Sequence, residues 1–235
     1  MKLMHCFGTD KTSPVNTQLA IDMIQASGIR EITLNTHNIE KVNVWQNLSV
    51  GYGDATWSSI SKHIETKDFQ PVFNINLPES THQAINRTEN AIRLNNTFPI
   101  KLEVLNMTHD KPNNADVVEA AIYLKNKYPD TKVWPLITPN LNDYNTLMEI
   151  GCEMIRIIGS PIGLSGGISS ETQNFIRKIV NRKNSPIITI DGGIGSIADI
   201  ELAMQLKVDR VLVNSFLFKS NNAVSLLSKI KSIIN

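Results

Sequence analysis

A short apolar stretch, residues 100–104 (Ile-Lys-Leu-Glu-Val), carries two opposite charges between side chains of the kind that fill protein interiors. It predicts a buried strand, and because side chains alternate between the two faces of a strand, Lys101 and Glu103 would share one face. An ammonium and a carboxylate inside a protein destabilise it by several kcal/mol each unless they are paired. The strand alone favours a structural ion pair. The alternative is a reactive amine, since burial lowers the pKa of a lysine and frees a neutral nucleophile.

A second group of residues with chemical potential is a glycine-rich turn. Asp191 ends a predicted strand, and Gly192, Gly193 and Gly195 follow it directly before a helix. Backbone N–H groups in such a turn approach an anion closely, and the start of the helix adds partial positive charge. Asp191, at the strand end, would suit a catalytic base. Glycine also serves tight turns and aspartate also caps helices, so this stretch alone leaves a purely structural interpretation open.

Two further stretches would lie beside that turn in a parallel sheet. Residues 160–167 follow the sixth predicted strand as a long loop containing Gly163, while Asn214 and Ser215 end the eighth strand. Asn214 and Ser215 also suit ordinary turns. Small and polar residues after three neighbouring strands nevertheless favour a phosphate site, for which a (β/α)8 barrel uses the loops after its last strands.

The elements that would position these residues alternate between strand and helix, giving eight units in 235 residues. That number predicts a single-domain α/β protein, a (β/α)8 TIM barrel over residues 1–235, rather than a doubly wound sheet, which usually has fewer units. The predicted strands are 1–7, 31–34, 71–75, 100–104, 132–137, 153–158, 186–190 and 210–213. The predicted helices are 13–27, 57–64, 80–95, 115–127, 140–150, 171–182, 196–206 and 223–234. In a barrel the carboxyl ends of all strands meet at one rim, where the active site lies.

Composition argues against several classes of partner. The chain is 41% hydrophobic and 19% charged, with a formal net charge of +1, so nucleic acid or an anionic membrane is not expected as the main partner. No apolar run approaches a membrane span and the amino terminus lacks a signal-peptide pattern, which predicts a cytoplasmic protein. Cys6 and Cys152 stand alone, so no disulfide is expected. His37 and His109 follow strands two and four without metal-type spacing, so neither a metal nor a cofactor is expected.

Four motifs resemble those of the bacterial thiazole synthase family, which makes the thiazole phosphate half of thiamin. They are Ile100-Lys-Leu-Glu-Val104, Gly159-Ser-Pro-Ile-Gly163 with its glycine-rich continuation, Ile190-Asp-Gly-Gly-Ile-Gly195 and Val211-Leu-Val-Asn-Ser215. They occur in the same order and at matching spacings, which makes the set much more specific than any one motif. The similarity is clearest from about Gln70 to the end.

The resemblance implies roles for individual residues. Lys101 would form a Schiff base with the ketone of 1-deoxy-D-xylulose 5-phosphate, while Glu103 and Asp191 would move protons during the imine and enamine steps. The residues that would hold the sugar phosphate are Gly163, Gly192, Gly193, Asn214 and Ser215. In the family, sulfur arrives as the thiocarboxylate of a small ubiquitin-like sulfur-carrier protein, and dehydroglycine supplies the C–N unit. The family forms homotetramers, so the resemblance also implies a homo-oligomer.

The chain departs from the family pattern in several loops. Gly8-Thr9-Asp10 stands where Gly-Thr-Gly is usual, Asn35-Thr36-His37 replaces a basic pair, and residues 106–114 lack the usual Pro-Asp-Pro stretch. Two other functions stay open: a class I aldolase-like Schiff-base barrel acting on another phosphorylated ketose, and a non-catalytic relative that binds a sugar phosphate or a partner. The three retained charged residues argue against the second, because a decayed site tends to lose its costly buried charges first.

Overall fold

The chain folds into a parallel barrel, for which a computed structural model describes residues 1–8 and 15–234. The eight strands in that part of the chain are β1 (Lys2–Met4), β2 (Glu31–Asn35), β3 (Gln70–Ile75), β4 (Ile100–Leu102), β5 (Val133–Ile137), β6 (Met154–Ile158), β7 (Ile187–Asp191) and β8 (Arg210–Leu212). They pair in parallel in the order β1-β8-β7-β6-β5-β4-β3-β2, and the sheet curls into a nearly closed barrel. This arrangement confirms the predicted (β/α)8 TIM barrel.

Helices surround the strands. In the described residues they are α1 (Thr17–Ser27), α2 (Trp57–Ile60), α3 (Thr81–Leu94), α4 (Asn114–Lys127), α5 (Leu141–Glu149), α6 (Ser170–Ile179), α7 (Ile197–Gln205), α8 (Ser215–Lys219) and α9 (Ala223–Ile234). Ser80, Ser169 and Ser196 each accept a backbone N–H from the first turn of the helix that follows, which fixes where α3, α6 and α7 begin. Asn16 does the same for α1. The predicted start of that helix at Ser13-Pro14 lies outside the described residues.

Several elements differ from the sequence-based expectation, and the first of them is β1, which covers Lys2–Met4 instead of residues 1–7. β4 ends at Leu102, two residues early, because the backbone beyond it bonds to a loop: the Val104 carbonyl accepts from the Asn113 N–H at 2.8 Å. α2 covers four residues instead of the eight expected. The sequence does not predict α8, since its five residues are too few to show a helical period. Of the helices described, none is long and apolar enough to cross a membrane.

The inside of the barrel changes character from one end to the other. One interior layer is apolar and comprises Met4, Val72, Trp134, Met154 and Leu212, with Cys6 beside it. Two residues further along a strand, the inward side chain lies nearer the carboxyl end. There Val72 is followed by Asn74, and Met154 by Arg156. A polar and charged layer therefore lies over an apolar floor, at the end of the barrel where the candidate residues are expected.

The long segment between β2 and β3 crosses the carboxyl end of β1. The Tyr52 N–H donates to the Phe7 carbonyl at 3.0 Å, and a Cβ at Gly51 would lie 2.1 Å from the same carbonyl oxygen. Only glycine fits at this crossing. Trp45 and Trp57 pack against each other in this segment with ring centroids 5.7 Å apart, so both belong to a packed aromatic cluster.

Candidate active site

Lys101, Glu103 and Asp191 meet inside the barrel near the carboxyl ends of the strands. The Nζ of Lys101 lies 3.5 Å from Oε2 of Glu103 and 3.4 Å from Oδ2 of Asp191. Glu103 follows β4 directly and Asp191 is the last residue of β7, so strand alternation and strand ends position them. Lys101 is 4% exposed, and Glu103 and Asp191 are each 7% exposed. The three residues that the sequence predicts to be catalytic thus form one buried cluster.

A fourth charge, Arg156, belongs to this cluster and is missed by the sequence analysis. It is fully buried, and its guanidinium donates to the Asp191 carboxylate and to the carbonyls of Leu102, at 2.7 Å, and Trp134, at 3.0 Å. Its Nη1 also lies 3.6 Å from Oε2 of Glu103. The sequence does hold the signal: Arg156 is the central residue of an otherwise apolar strand, where burial makes a charge costly unless it is paired.

The lysine of this cluster is held in its charged form. Burial lowers the pKa of Lys101, and the nearby Arg156 lowers it further. The carboxylates of Asp191 and Glu103 act the other way and prevail, so the pKa of the lysine is raised above its ordinary value. Of the two interpretations that the strand leaves open, this resting arrangement is that of an ion pair, because the amine is buried together with two carboxylates.

Asp191 is held in its ionised form by the same contacts. Burial by itself raises the pKa of this carboxyl group, but the charges of Lys101 and Arg156 lower it more, and hydrogen bonds from both cations add to the effect. The net pKa lies below the ordinary value for aspartate. Asp191 is therefore an anion that both Lys101 and Arg156 stabilise.

The glycines of the turn after β7 let two loops pack closely. The carbonyls of Gly192 and Gly193 accept hydrogen bonds from the N–H groups of Gly159, at 3.2 Å, and Gly167, at 2.8 Å, in the loop after β6. A Cβ at Gly193 would lie 2.5 Å from the Gly167 carbonyl oxygen. The described peptide bonds are trans, so the C=O and N–H of each bond point in opposite directions. Because the carbonyls of Gly192 and Gly193 point toward the loop after β6, the N–H groups of the next residues point away from it. Packing is thus one reason for glycine here, beside the predicted approach to an anion.

The other predicted binding residues lie on loops joined to this turn. Gly163 is exposed in the loop after β6, and its carbonyl accepts a hydrogen bond from Lys219 of α8 at 3.0 Å. Asn214 precedes α8 and donates from Nδ2 to the Gly8 carbonyl at 2.9 Å, while Ser215 is the first residue of α8. The loops after β6, β7 and β8 therefore contact one another at a single rim.

Several polar atoms in these loops are buried without a partner. The hydroxyl oxygens of Ser160 and Ser165 and the Oδ1 of Asn214 are shielded from solvent, and none of them has a hydrogen-bond partner in the described parts of the chain. Buried polar groups in folded proteins are nearly always hydrogen-bonded. The described residues therefore leave the hydrogen-bonding capacity of these three atoms unused.

The cysteines and histidines lie apart from this chemistry. Cys6 and Cys152 are both free and buried, and burial raises the pKa of the Cys6 thiol, which therefore stays neutral. His109 contacts Glu79 at 2.6 Å on the rim. Within residues 1–8 and 15–234, no group of three or more His, Cys, Asp and Glu side chains is placed to hold a metal ion.

Comparison with solved structures shows the fold again. The structure is similar to that of an Amycolatopsis orientalis BexX/CysO complex, with a TM-score of 0.80 and 21% identity over 98% of this chain and 86% of the other. It is also similar to a thiamine phosphate pyrophosphorylase from Pyrococcus furiosus, with a TM-score of 0.63 and 12% identity over 99% and 95% of the two chains. At these identities the likeness concerns the fold alone.

Comparison of sequences identifies relatives. The chain is 29% identical to a thiazole synthase from Geobacter metallireducens over 224 residues, which is 93% of this chain and 78% of the relative. It is 36% identical to a thiazole synthase from Vibrio cholerae over 85 residues, 36% of this chain and 32% of the relative. The match to the Clostridium acetobutylicum thiazole synthase, at 29% identity, spans 53% of this chain and 48% of that relative. The family model described as "Thiazole biosynthesis protein ThiG" matches residues 7–235, and the chain therefore belongs to that family.

Proposed function

We propose that this protein is a thiazole synthase of thiamine biosynthesis. It condenses 1-deoxy-D-xylulose 5-phosphate, dehydroglycine and the sulfur of a carrier-protein thiocarboxylate into thiazole phosphate, through a Schiff base on Lys101. Family membership supports the overall reaction. The single observation that carries the mechanism is the placement of the Lys101 amine inside the barrel mouth, 3.4 and 3.5 Å from two carboxylates.

The first step is transfer of a proton from the lysine ammonium to a carboxylate. Asp191 is engaged by a direct hydrogen bond from Arg156, whereas Glu103 lies 3.5 Å from the amine and 3.6 Å from the same guanidinium. We therefore assign Glu103 as the acceptor. The neutral amine adds to the sugar ketone, and protonation of the resulting carbinolamine by Glu103 releases water and leaves a protonated imine.

The imine then acts as an electron sink. A carboxylate removes the proton from C3, the electrons move toward the imine nitrogen, and the product is an enaminol that carries the C3 hydroxyl. Protonation at C2 and loss of the hydroxyl proton leave a ketone at C3, ready for the sulfur nucleophile. Asp191, at the end of β7, is the second carboxylate near the amine, with its Oδ2 3.4 Å from the Lys101 Nζ.

The loops after β6, β7 and β8 would hold the phosphate. Gly163, Gly192, Gly193, Asn214 and Ser215 line this rim, and the buried unpartnered hydroxyls of Ser160 and Ser165 supply further donors. Gly192 follows directly after Asp191, whose carboxylate lies 3.4 Å from the amine. A phosphate anchored there would fix the ketone of a five-carbon sugar opposite the lysine. The amine and the ketone would then react from a fixed relative orientation.

A protein partner would deliver the sulfur. The proposed partner is a ubiquitin-like sulfur-carrier protein, and a homo-oligomer, tetrameric as in the family, is the proposed assembly. One support is that a solved structure of the same fold is a complex of BexX with a second protein, CysO.

Reductive trapping tests the proposal. Borohydride added with 1-deoxy-D-xylulose 5-phosphate is expected to leave one sugar on the chain, seen as a single mass increase of the intact protein. Lys101→Ala removes the adduct, and Lys101→Arg removes it while keeping the buried charge, so that loss of folding can be separated from loss of the amine. Trapping that persists in both variants would remove Lys101 from the mechanism. Equal trapping of other ketose phosphates would favour an aldolase-like enzyme instead.

A further inference from the structure

β3 and the residue that directly follows it carry two buried carboxamides near Lys101. Asn74 is in register with Lys101 of the neighbouring strand, so the two side chains share the inside of the barrel. Asn76 is two residues further toward the mouth and by strand alternation lies on the same side. Asn74 is 4% exposed and Asn76 is 2% exposed. In the described part of the chain, the Oδ1 of each is shielded from solvent and has no hydrogen-bond partner.

The neighbouring residues hold these carboxamides in place. The backbone carbonyl of Asn74 accepts a hydrogen bond from the Thr36 hydroxyl at 2.7 Å. The Asn76 side chain donates to the Tyr52 hydroxyl, and its backbone carbonyl accepts from Arg87. Leu77, the next residue, has a φ of 66°, a left-handed conformation that is unfavourable for leucine. The Asn76 carboxamide is thus held by Tyr52 and the Asn74 backbone by Thr36, next to a strained residue just beyond β3.

The hydrogen-bonding character of the two Oδ1 atoms determines which ligand group would pair with them. A carboxamide oxygen accepts a hydrogen bond, so its missing partner is an O–H or N–H donor and not an anion. As partners of these two Oδ1 atoms, hydroxyl or amino groups of a ligand are therefore favoured over phosphate oxygens. The keto sugar proposed for Lys101 carries two hydroxyl groups between its ketone and its phosphate, and an O–H donor is what these two acceptors lack.

We propose that Asn74 and Asn76 form a hydroxyl-recognition subsite that accepts hydrogen bonds from the two hydroxyl groups between the ketone and the phosphate of the sugar. Asn74, level with Lys101, takes the hydroxyl nearer the ketone, and Asn76 takes the next one. The segment between β2 and β3 contributes through Tyr52, which orients Asn76. This inference rests on the proposed function, since it names the substrate feature that the same site selects.

Two ligands distinguish the subsite from the rest of the machinery. One is 1-deoxy-D-xylulose 5-phosphate, and the other is 5-phosphooxy-2-pentanone, which keeps the ketone and the phosphate but lacks both hydroxyls. The measurement is the ligand concentration that gives half-maximal borohydride trapping. Wild-type protein is expected to need at least about tenfold more of the pentanone, because a site built to pair a hydroxyl leaves its polar groups unpaired with an analogue that lacks it.

Variants then locate the preference. Asn74→Leu and Asn76→Leu remove the acceptors at nearly constant size, and each is expected to raise the half-saturating concentration of the sugar about tenfold while changing that of the pentanone less than about twofold. Asn126→Leu, on the exposed face of α4, is the matched control and should change neither value. A loss of the same size for both ligands, or for neither, overturns the proposal.

The outcome does not depend on how well the variants fold. Equal half-saturation of wild-type protein by the sugar and the pentanone overturns the subsite without any substitution. Failure of the proposed function looks different, because wild-type protein would then trap neither ligand.

Discussion

Two groups of buried charges lie at opposite ends of the same barrel. At the amino end, Arg210 and Glu31 form a one-to-one pair at 2.7 Å. At the carboxyl end, Lys101 stands 3.4 and 3.5 Å from two carboxylates, while the direct ion pair joins Arg156 to Asp191. In the Arg210–Glu31 pair, one short contact holds both side chains in place. A lysine shared between two anions is stabilised by their combined charge. It also has a carboxylate nearby that can accept its proton.

The largest expected effect distinguishes the two arginines. Arg156→Met leaves the carboxylates of the upper cluster with a single cation, so we expect it to lower the free energy of unfolding by about 3–5 kcal/mol, as breaking a buried ion pair does. Arg210→Met, at a pair whose side chains are 11% and 18% exposed, is the matched control and should lower it less, because solvent still reaches the carboxylate that is left unpaired. Urea unfolding at pH 7.5 measures both.

Arg156→Met also has a signature that a structural role alone would not give. Because Arg156 lowers the pKa of Lys101, its removal raises that pKa, and the pH at which imine trapping reaches half its maximal rate should move upward. Arg210→Met should leave that midpoint unchanged. Equal loss of stability in the two variants, with no shift of the pH midpoint in either, would remove the distinction between the clusters.

Glu103→Gln tests the assigned proton acceptor. We expect the initial rate of imine trapping to fall about 10²- to 10⁴-fold, the usual contribution of a general acid or base, with the fold retained. Glu31→Gln, the corresponding change at the amino end, should leave the rate unchanged. A normal trapping rate in Glu103→Gln would transfer the role to another group.

The smallest expected effect concerns a buried ionisable group with a neutral neighbour. His5 lies 3.1 Å from the Ser27 hydroxyl, and burial lowers its pKa from 6.5 to about 4. The unfolded chain takes up this proton near pH 6.5 and the folded chain only near pH 4. Stability is therefore complete above pH 6.5 and falls as the pH drops toward 4, by up to about 3 kcal/mol.

His5→Gln isolates that contribution from the acidic cluster. The variant should lose less stability than the wild type between pH 7.5 and pH 4.5, as measured by urea unfolding at both values. An identical loss in the two proteins would mean that the carboxylates, and not His5, set the acid limit of the fold.

The sequence predicts the cluster where a single local rule suffices. Strand alternation places Lys101 and Glu103 on one face, and the end of a strand places Asp191 at the rim. The same alternation would also have placed Arg156 inside the barrel. The other residues of its strand are all apolar, so the sequence analysis overlooks this single charge. The order of the strands follows from the repeated strand-then-helix unit, which is why the barrel itself is predictable.

What the sequence does not predict depends on partners from distant parts of the chain. The pKa of Lys101 is raised by Asp191 and lowered by Arg156, which lie on β7 and β6, and no local pattern joins those residues to the lysine strand. The roles of Asn74 and Asn76 depend on a registration with β4 and on a tyrosine delivered by another loop. The phosphate, sugar and carrier roles of the rim stay predictions.

The absence of room for a methyl group at Gly193 has a consequence for anyone who redesigns this barrel. The turn after β7 and the long loop after β6 share backbone contacts that a larger residue at Gly193 would break. Neither segment can therefore be lengthened, shortened or exchanged by itself. The two segments act as one structural unit. A graft that changes ligand preference has to transfer both of them together, because a donor loop transferred alone would lose its backbone contacts with the other segment.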